Sequence, residues 1–332
     1  MAGTMSDFVI YDEEFFGRLN EVLQQELNVF NENSANTMRM VTRSILGEFE
    51  RESFMKRLTN NISHRDVSST SPVASQKMEQ DELVGVKVNR RIGPNDMTID
   101  SWKKIGEDPA VFSFFYGEQS ASDVLADYVN TAALVAQTTI AGNAAVVADK
   151  TAETESKLRT EYLLDGLALM GDRASRVRAW VMHSAPFFQL ARNQTLEKIT
   201  NVSDVVIYGG APGTYDRPVI VTDSPALVDD SVTNNNQYYV LGLTEGAVEI
   251  AQSESDAIWT DPKTGTENLS VTIQGEYAFN VRSKGHAWTG DPNPTDAQLA
   301  SDLNWSYRFH DNKMGPGVAI KVSEETIGGG GT

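Results

Sequence analysis

Four histidines, His64, His183, His286 and His310, are the residues of this chain best suited to proton transfer or metal binding. No two have the His-Glu-x-x-His spacing that puts two imidazoles on one helix face for a metal. Cysteine is absent, which excludes disulfides, thiolate metal sites and cysteine nucleophiles. His183 directly precedes Ser184, and that neighbourhood invites a nucleophile reading. A nucleophile elbow needs Gly-x-Ser-x-Gly after a strand, whereas Ser184 is flanked by His183 and by Ala185-Pro186. A serine just ahead of a proline and of Phe187-Phe188 fits a helix N-cap. His183 then reads as a core or turn histidine bonded to backbone. A hydrolase built on Ser184 and His183 stands as an alternative.

Two other clusters fail as chemistry. Gly209-Gly210-Ala211-Pro212-Gly213 is not followed by the Lys-Ser/Thr and helix of a phosphate loop; Tyr215-Asp216-Arg217-Pro218 follows, and the stretch reads as a hairpin turn. Glu153, Glu155, Asp165 and Asp172 lie in helical-surface context, where solvated carboxylates are the ordinary outcome. No catalytic, cofactor-binding or metal residue is assigned, and no cofactor is expected.

The elements that would position any site are read from periodicity. Residues 13–58 are expected to be helical, broken near 31–34. One apolar stripe uses Phe15, Leu19, Val22, Leu23, Leu27 and Phe30, and a second uses Met38, Val41, Ile45 and Phe49. Residues 59–80 are polar and irregular in pattern. Leu83 to Ile92 alternate as a half-exposed strand, Gly93-Pro94-Asn95-Asp96 signals a turn, and Met97 to Trp102 supplies a returning strand. Residues 119–148 form a long Ala-rich helix, with Asp123 and Asp127 in its first turns. Strand signals dominate from residue 205 onward. Both helices and strands are therefore expected along the chain, an α+β composition.

Length and charge narrow the function. The chain has 332 residues and a net charge of −18, from 46 acidic against 28 basic side chains. A protein that grips nucleic acid through phosphates needs the opposite balance. No run of about 18 apolar residues exists to span a membrane, and Met1 to Asp7 lack a secretion-signal pattern. The chain is expected to stay in the cytoplasm where it is made.

One order of motifs is more specific than any of these. A helix through Leu158, Tyr162, Leu163 and Leu167 ends at Gly171-Asp172. Trp180-Val181-Met182-His183-Ser184 follows, and then Pro218-Val219-Ile220-Val221-Thr222-Asp223. Upstream lie Leu46-Gly47-Glu48-Phe49, Val86 to Pro94, and Gly117 to Ala121 ahead of the Ala-rich helix. This order resembles the major capsid proteins of tailed bacteriophages. The resemblance implies a Hong Kong 97-type phage capsid fold. Its parts would be an N-terminal arm (1–64), an extended β-hairpin loop (65–105), a peripheral domain with a long spine helix (106–164 and 271–332) and an axial domain (165–270).

The implied function is structural. The chain would self-assemble through pentamers and hexamers into an icosahedral shell around a phage double-stranded DNA genome. Portal and scaffold proteins would be partners, decoration proteins a further class, packaged DNA would be touched only weakly, and no membrane would be involved. The shell would assemble in the host cytoplasm and end in the virion, with no N-terminal segment removed. An encapsulin-like nanocompartment shell is the alternative with the same fold. Phe15, Leu19 and Phe30 are expected to anchor the arm on a neighbour, and Arg90 and Arg91 to form intersubunit ion pairs. Some relatives join subunits by a Lys–Asn amide bond, for which Lys77 and Lys87 would be the lysines.

Overall fold

The computed structural model describes residues 12–43, 45, 47–58, 61–98, 100, 109–153, 155–191, 199–202, 205–208, 214–231, 235–253, 257–265 and 267–324. Helix α1 (Asp12–Asn33) carries the first apolar stripe, and Phe15, Leu19, Leu23, Leu27 and Phe30 are all buried. Its end is fixed by Asn31. The Asn31 side chain donates to the Met40 carbonyl at 2.7 Å and accepts from the Met40 N–H at 2.9 Å. Ala35 and Asn36 then take left-handed backbone, which stops the helix.

The expected second helical stripe is two strands, β1 (Met38–Thr42) and β2 (Phe49–Met55). Met38 and Met40 are buried while Arg39 between them is exposed, a two-residue period that a short helical count also fits. Tertiary pairing decided it: β1 runs parallel to β11 (Val248–Gln252).

Strand β3 (Gln80–Thr98) runs 19 residues and does not turn at Gly93-Pro94. Its pairing with β13 (Ser270–Ser283) shifts register between Ile273 and Gly275, so the turn signal became a bulge. Gly93 has φ +76°, and a Cβ there would lie 2.9 Å from the Ile273 carbonyl oxygen. The long partner strand keeps the chain straight where sequence alone suggested a reversal. The true hairpin is β2 with β3, joined by an excursion over 56–79 that the Lys56 N–H to Glu79 carbonyl bond closes at its base.

Helix α2 (Pro109–Ala141) is 33 residues long, starting earlier and ending sooner than expected. Residues beyond it form a short 3-10 turn and β4 (Val147–Asp149). Asp123 and Asp127 therefore sit mid-helix. Val124, Leu125, Tyr128, Val129, Ala132, Ala133, Val135, Ala136 and Ile140 are buried, so small side chains let α2 pack closely on several neighbours.

Two sheets flank this rod. The first is ordered β1-β11-β13-β3-β14-β15, with β12 (Ala257–Lys263) on β13 and β2 on β3; β14 is His286–Trp288 and β15 Trp305–Tyr307. The second is ordered β4-β16-β10-β5-β8-β7-β6, with β9 (Val228–Asp229) on β10. Its members are β5 (Val177–Met182), β6 (Ile199–Val202), β7 (Val205–Tyr208), β8 (Val219–Val221), β10 (Gln237–Thr244) and β16 (Gly317–Ser323). Helices α3 (Thr160–Met170), α4 (Ser184–Ala191) and α5 (Asp296–Leu299) complete the set. One apolar cluster spans α1, α2 and both sheets. Strands β11 and β12 pair with β13 in the first sheet, and β16 pairs with β10 in the second.

Candidate assembly surfaces

Ser184, His183 and Asp223 do meet, at the start of α4. The Ser184 N–H donates to Asp223 Oδ1 at 3.2 Å, and the Ala185 N–H donates to His183 Nδ1 at 3.2 Å. His183 Nε2 lies 3.5 Å from Asp223 Oδ1. The Ser184 hydroxyl holds the Asp223 carboxyl below its ordinary range. These side chains satisfy the free N–H groups of a helix N-terminus. The cap position itself is His183, whose carbonyl accepts from the Phe187 N–H at 3.2 Å, one residue earlier than the expected cap at Ser184. With Nδ1 already accepting a backbone bond, His183 is poorly placed to serve as a base for Ser184. Among the described residues, no group of three or more His, Asp or Glu could hold a metal. The glycine-rich stretch 209–213 lies outside the described residues.

The residues expected to bridge subunits divide. Phe15 and Leu19 are buried with Ala121, Val271 and Ile273 of the same chain, and Phe30 lies in the main core. Phe15 stacks near Tyr116 at 5.6 Å between ring centres, and its carbonyl oxygen approaches Gly117 where a Cβ would come within 2.9 Å. The stripe is covered by α2, so these three side chains leave no apolar surface for a neighbour. A stripe in sequence records that a cover is needed and not whose it is.

Arg90 is also used internally. Its Nε donates to Asp127 at 3.2 Å and its Nη2 to Asp296 at 2.6 Å, tying β3 to α2 and α5. Burial works against the guanidinium charge, but Asp296 and then Asp127 outweigh it and raise the Arg90 pKa. The Tyr277 hydroxyl donates to the same Asp127 at 2.7 Å, and burial followed by that carboxylate pushes its pKa up. Arg91 is exposed and stands opposite Glu276 in the β3–β13 ladder. Lys87 is buried opposite Asn280, while Lys77 is exposed.

The segment expected as an extended hairpin loop, 65–105, holds an exposed stretch followed by most of β3. The segment 61–79 is exposed throughout, with Ile62 95%, Val67 86% and Val73 90% exposed. Polar composition over 59–80 was the available signal. Singly scattered aliphatics on a surface are ordinary, so it is the unbroken exposed run that sets this segment apart.

The model of the Gp13-like family, described as Major capsid protein 13-like, matches residues 7–319. The chain belongs to this family of major capsid proteins. It is a structural subunit of an icosahedral capsid and not an enzyme. Its fold is the α+β architecture of the Hong Kong 97-type capsids. The capsid of Ralstonia phage GP4 is similar at 10% identity, over 88% of this chain and 88% of that chain, with a TM-score of 0.50. The Mycobacterium phage Cain structure is similar at 9% identity, over 84% of this chain and 90% of that one, also with a TM-score of 0.50. At these identities the likeness is one of fold. No curated protein matches the sequence. The capsid subunit therefore functions as an oligomer of itself within the virion shell.

Proposed function

We propose that the ribbon 56–79 is the principal device by which one capsid subunit holds the next. What supports this is its lack of cover: residues 61–79 are exposed without a break, Ile62, Val67 and Val73 among them. The ribbon carries Lys56, Arg57, Arg65 and Lys77 against Asp66 and Glu79, a basic excess on a chain of net charge −18. A basic ribbon is attracted to the acidic body of a sister subunit, and many such modest contacts become strong once a shell closes. Arg91, exposed on the first sheet, is proposed as an intersubunit ion-pair residue.

The remaining assignments extend this reading. The sheet bearing β3 and α2 corresponds to a peripheral domain and the second sheet to the axial domain of capsomers. Pentamers and hexamers assemble in the host cytoplasm with portal and scaffold proteins, and decoration proteins bind from outside. The enclosed cargo is double-stranded DNA, held by an acidic wall that grips it weakly.

Replacing residues 57–78 by a short Gly-Ser turn tests the central claim. The expected outcome is a folded subunit, by circular dichroism and thermal melting, that yields few or no closed particles in negative-stain images. Arg91→Glu is expected to lower particle yield with an unchanged melting temperature. Normal particles from the shortened chain would overturn the assignment.

A further inference from the structure

The outer face of the first sheet, opposite α2, carries one row of residues across five strands: Arg39 on β1, Glu249 on β11, Arg282 on β13, Gly85 on β3 and Glu50 on β2. The signs alternate, and the single uncharged member is a glycine. Arg282 reaches over that glycine. Its guanidinium contacts Glu249 at 3.2 Å on one side, and Glu52 and Glu50, the latter at 3.9 Å, on the other. A Cβ on Gly85 would lie 3.1 Å from the Val281 carbonyl oxygen and 3.3 Å from the Arg282 Cβ, in the path of that side chain. Arg43 closes the lattice by pairing with Glu50 and, at 3.1 Å, with Glu249. The Glu249 and Glu50 side chains are mostly buried, at 12% and 16% exposure. Partial burial and shared partners make such a lattice worth more than isolated surface pairs.

Strand β2 is the root of the ribbon. Among the described residues it pairs with β3 alone, and its side chains are half-buried or exposed along its length. Apart from Phe49 against the core and Phe54 edge-on to Phe309 at 5.3 Å, little apolar packing orients it. We propose that Arg282 is a positioning residue: through Gly85 it latches Glu50 and Glu52 to the body and sets the direction in which the ribbon leaves the subunit. The latch belongs to the single subunit; only its consequence for particle geometry rests on the ribbon being an assembly element.

The absence of cysteine allows a clean test. Met55→Cys at the end of β2 and Leu303→Cys on the body, both exposed positions, take spin labels for a pulsed distance measurement on unassembled full-length subunit. With Arg282 present, one narrow distance population is expected. Arg282→Met should broaden or split it and raise amide hydrogen exchange over 49–55 by about tenfold, with exchange in α2 unchanged. Arg282→Lys, which keeps the charge without the fork that spans both sides, should recover only part of the protection. A Met variant with unaltered distances and exchange overturns the proposal. Should Arg282→Met not fold, Glu52→Gln decides, since Glu52 is the exposed partner of Arg282 at 59% exposure: in the labelled pair the distance distribution must broaden, and an unchanged one overturns the latch. Particle yield, scored separately, tests the ribbon.

Discussion

His286 is buried beside Tyr307, with ring centres 5.0 Å apart, and its Nδ1 lies 3.1 Å from the Lys284 carbonyl oxygen. Burial lowers its pKa to about 4 from an ordinary 6.5. Between those values the unfolded chain takes up a proton that the folded chain refuses, so stability rises with pH through that window. The contribution is complete above pH 6.5 and lost as pH falls toward 4, on the order of 3 kcal/mol in all. Urea midpoints of the unassembled subunit should fall across that range, and His286→Gln should flatten this part of the profile. An identical slope in the variant would assign acid sensitivity elsewhere. The sequence distinguished none of the four histidines on this ground, because burial is a property of the surroundings. The cap at His183 was missed by one residue for a related reason: Asp223, just past β8 and 39 positions along the chain, binds the Ser184 N–H.

At the scale of elements, α1 against α2 is the pairing whose assignment changed most. The apolar stripe was legible, residue by residue, because a helical period needs no tertiary knowledge. Its cover was not, since a neighbouring molecule and the chain's own α2 are equally good apolar partners on paper. Leu19 is fully buried, so Leu19→Ala should destabilise the unassembled subunit by about 2–5 kcal/mol. Chemical denaturation of the monomer measures it. An intersubunit anchor would leave the monomer's stability intact and reduce only assembly. The strands at 38–42 and 49–55 were unreadable for a different reason. Short segments satisfy both periods, and the choice fell to β11 and β3, which supply hydrogen-bond partners from far along the chain.

For the molecule as a whole, charge is the dominant sequence-level quantity. A net charge of −18 repels phosphate, and the capsid subunit should pass through a DNA–cellulose column at physiological salt. Retention that falls steeply with added salt would show a phosphate-binding surface and remove the weak-wall reading. The family and fold class were legible in the order of short motifs along this chain, although overall identity to two solved relatives is only 9–10%. Composition, the lack of cysteine, helical stripes and the polar ribbon are all local properties, and the sequence by itself determined them. Which apolar face meets which, that Gly93-Pro94 bulges instead of turning, and that Arg90 and Arg282 bind within their own subunit were decided only by tertiary structure. Each of these depends on residues tens to hundreds of positions apart, whose proximity no local pattern encodes.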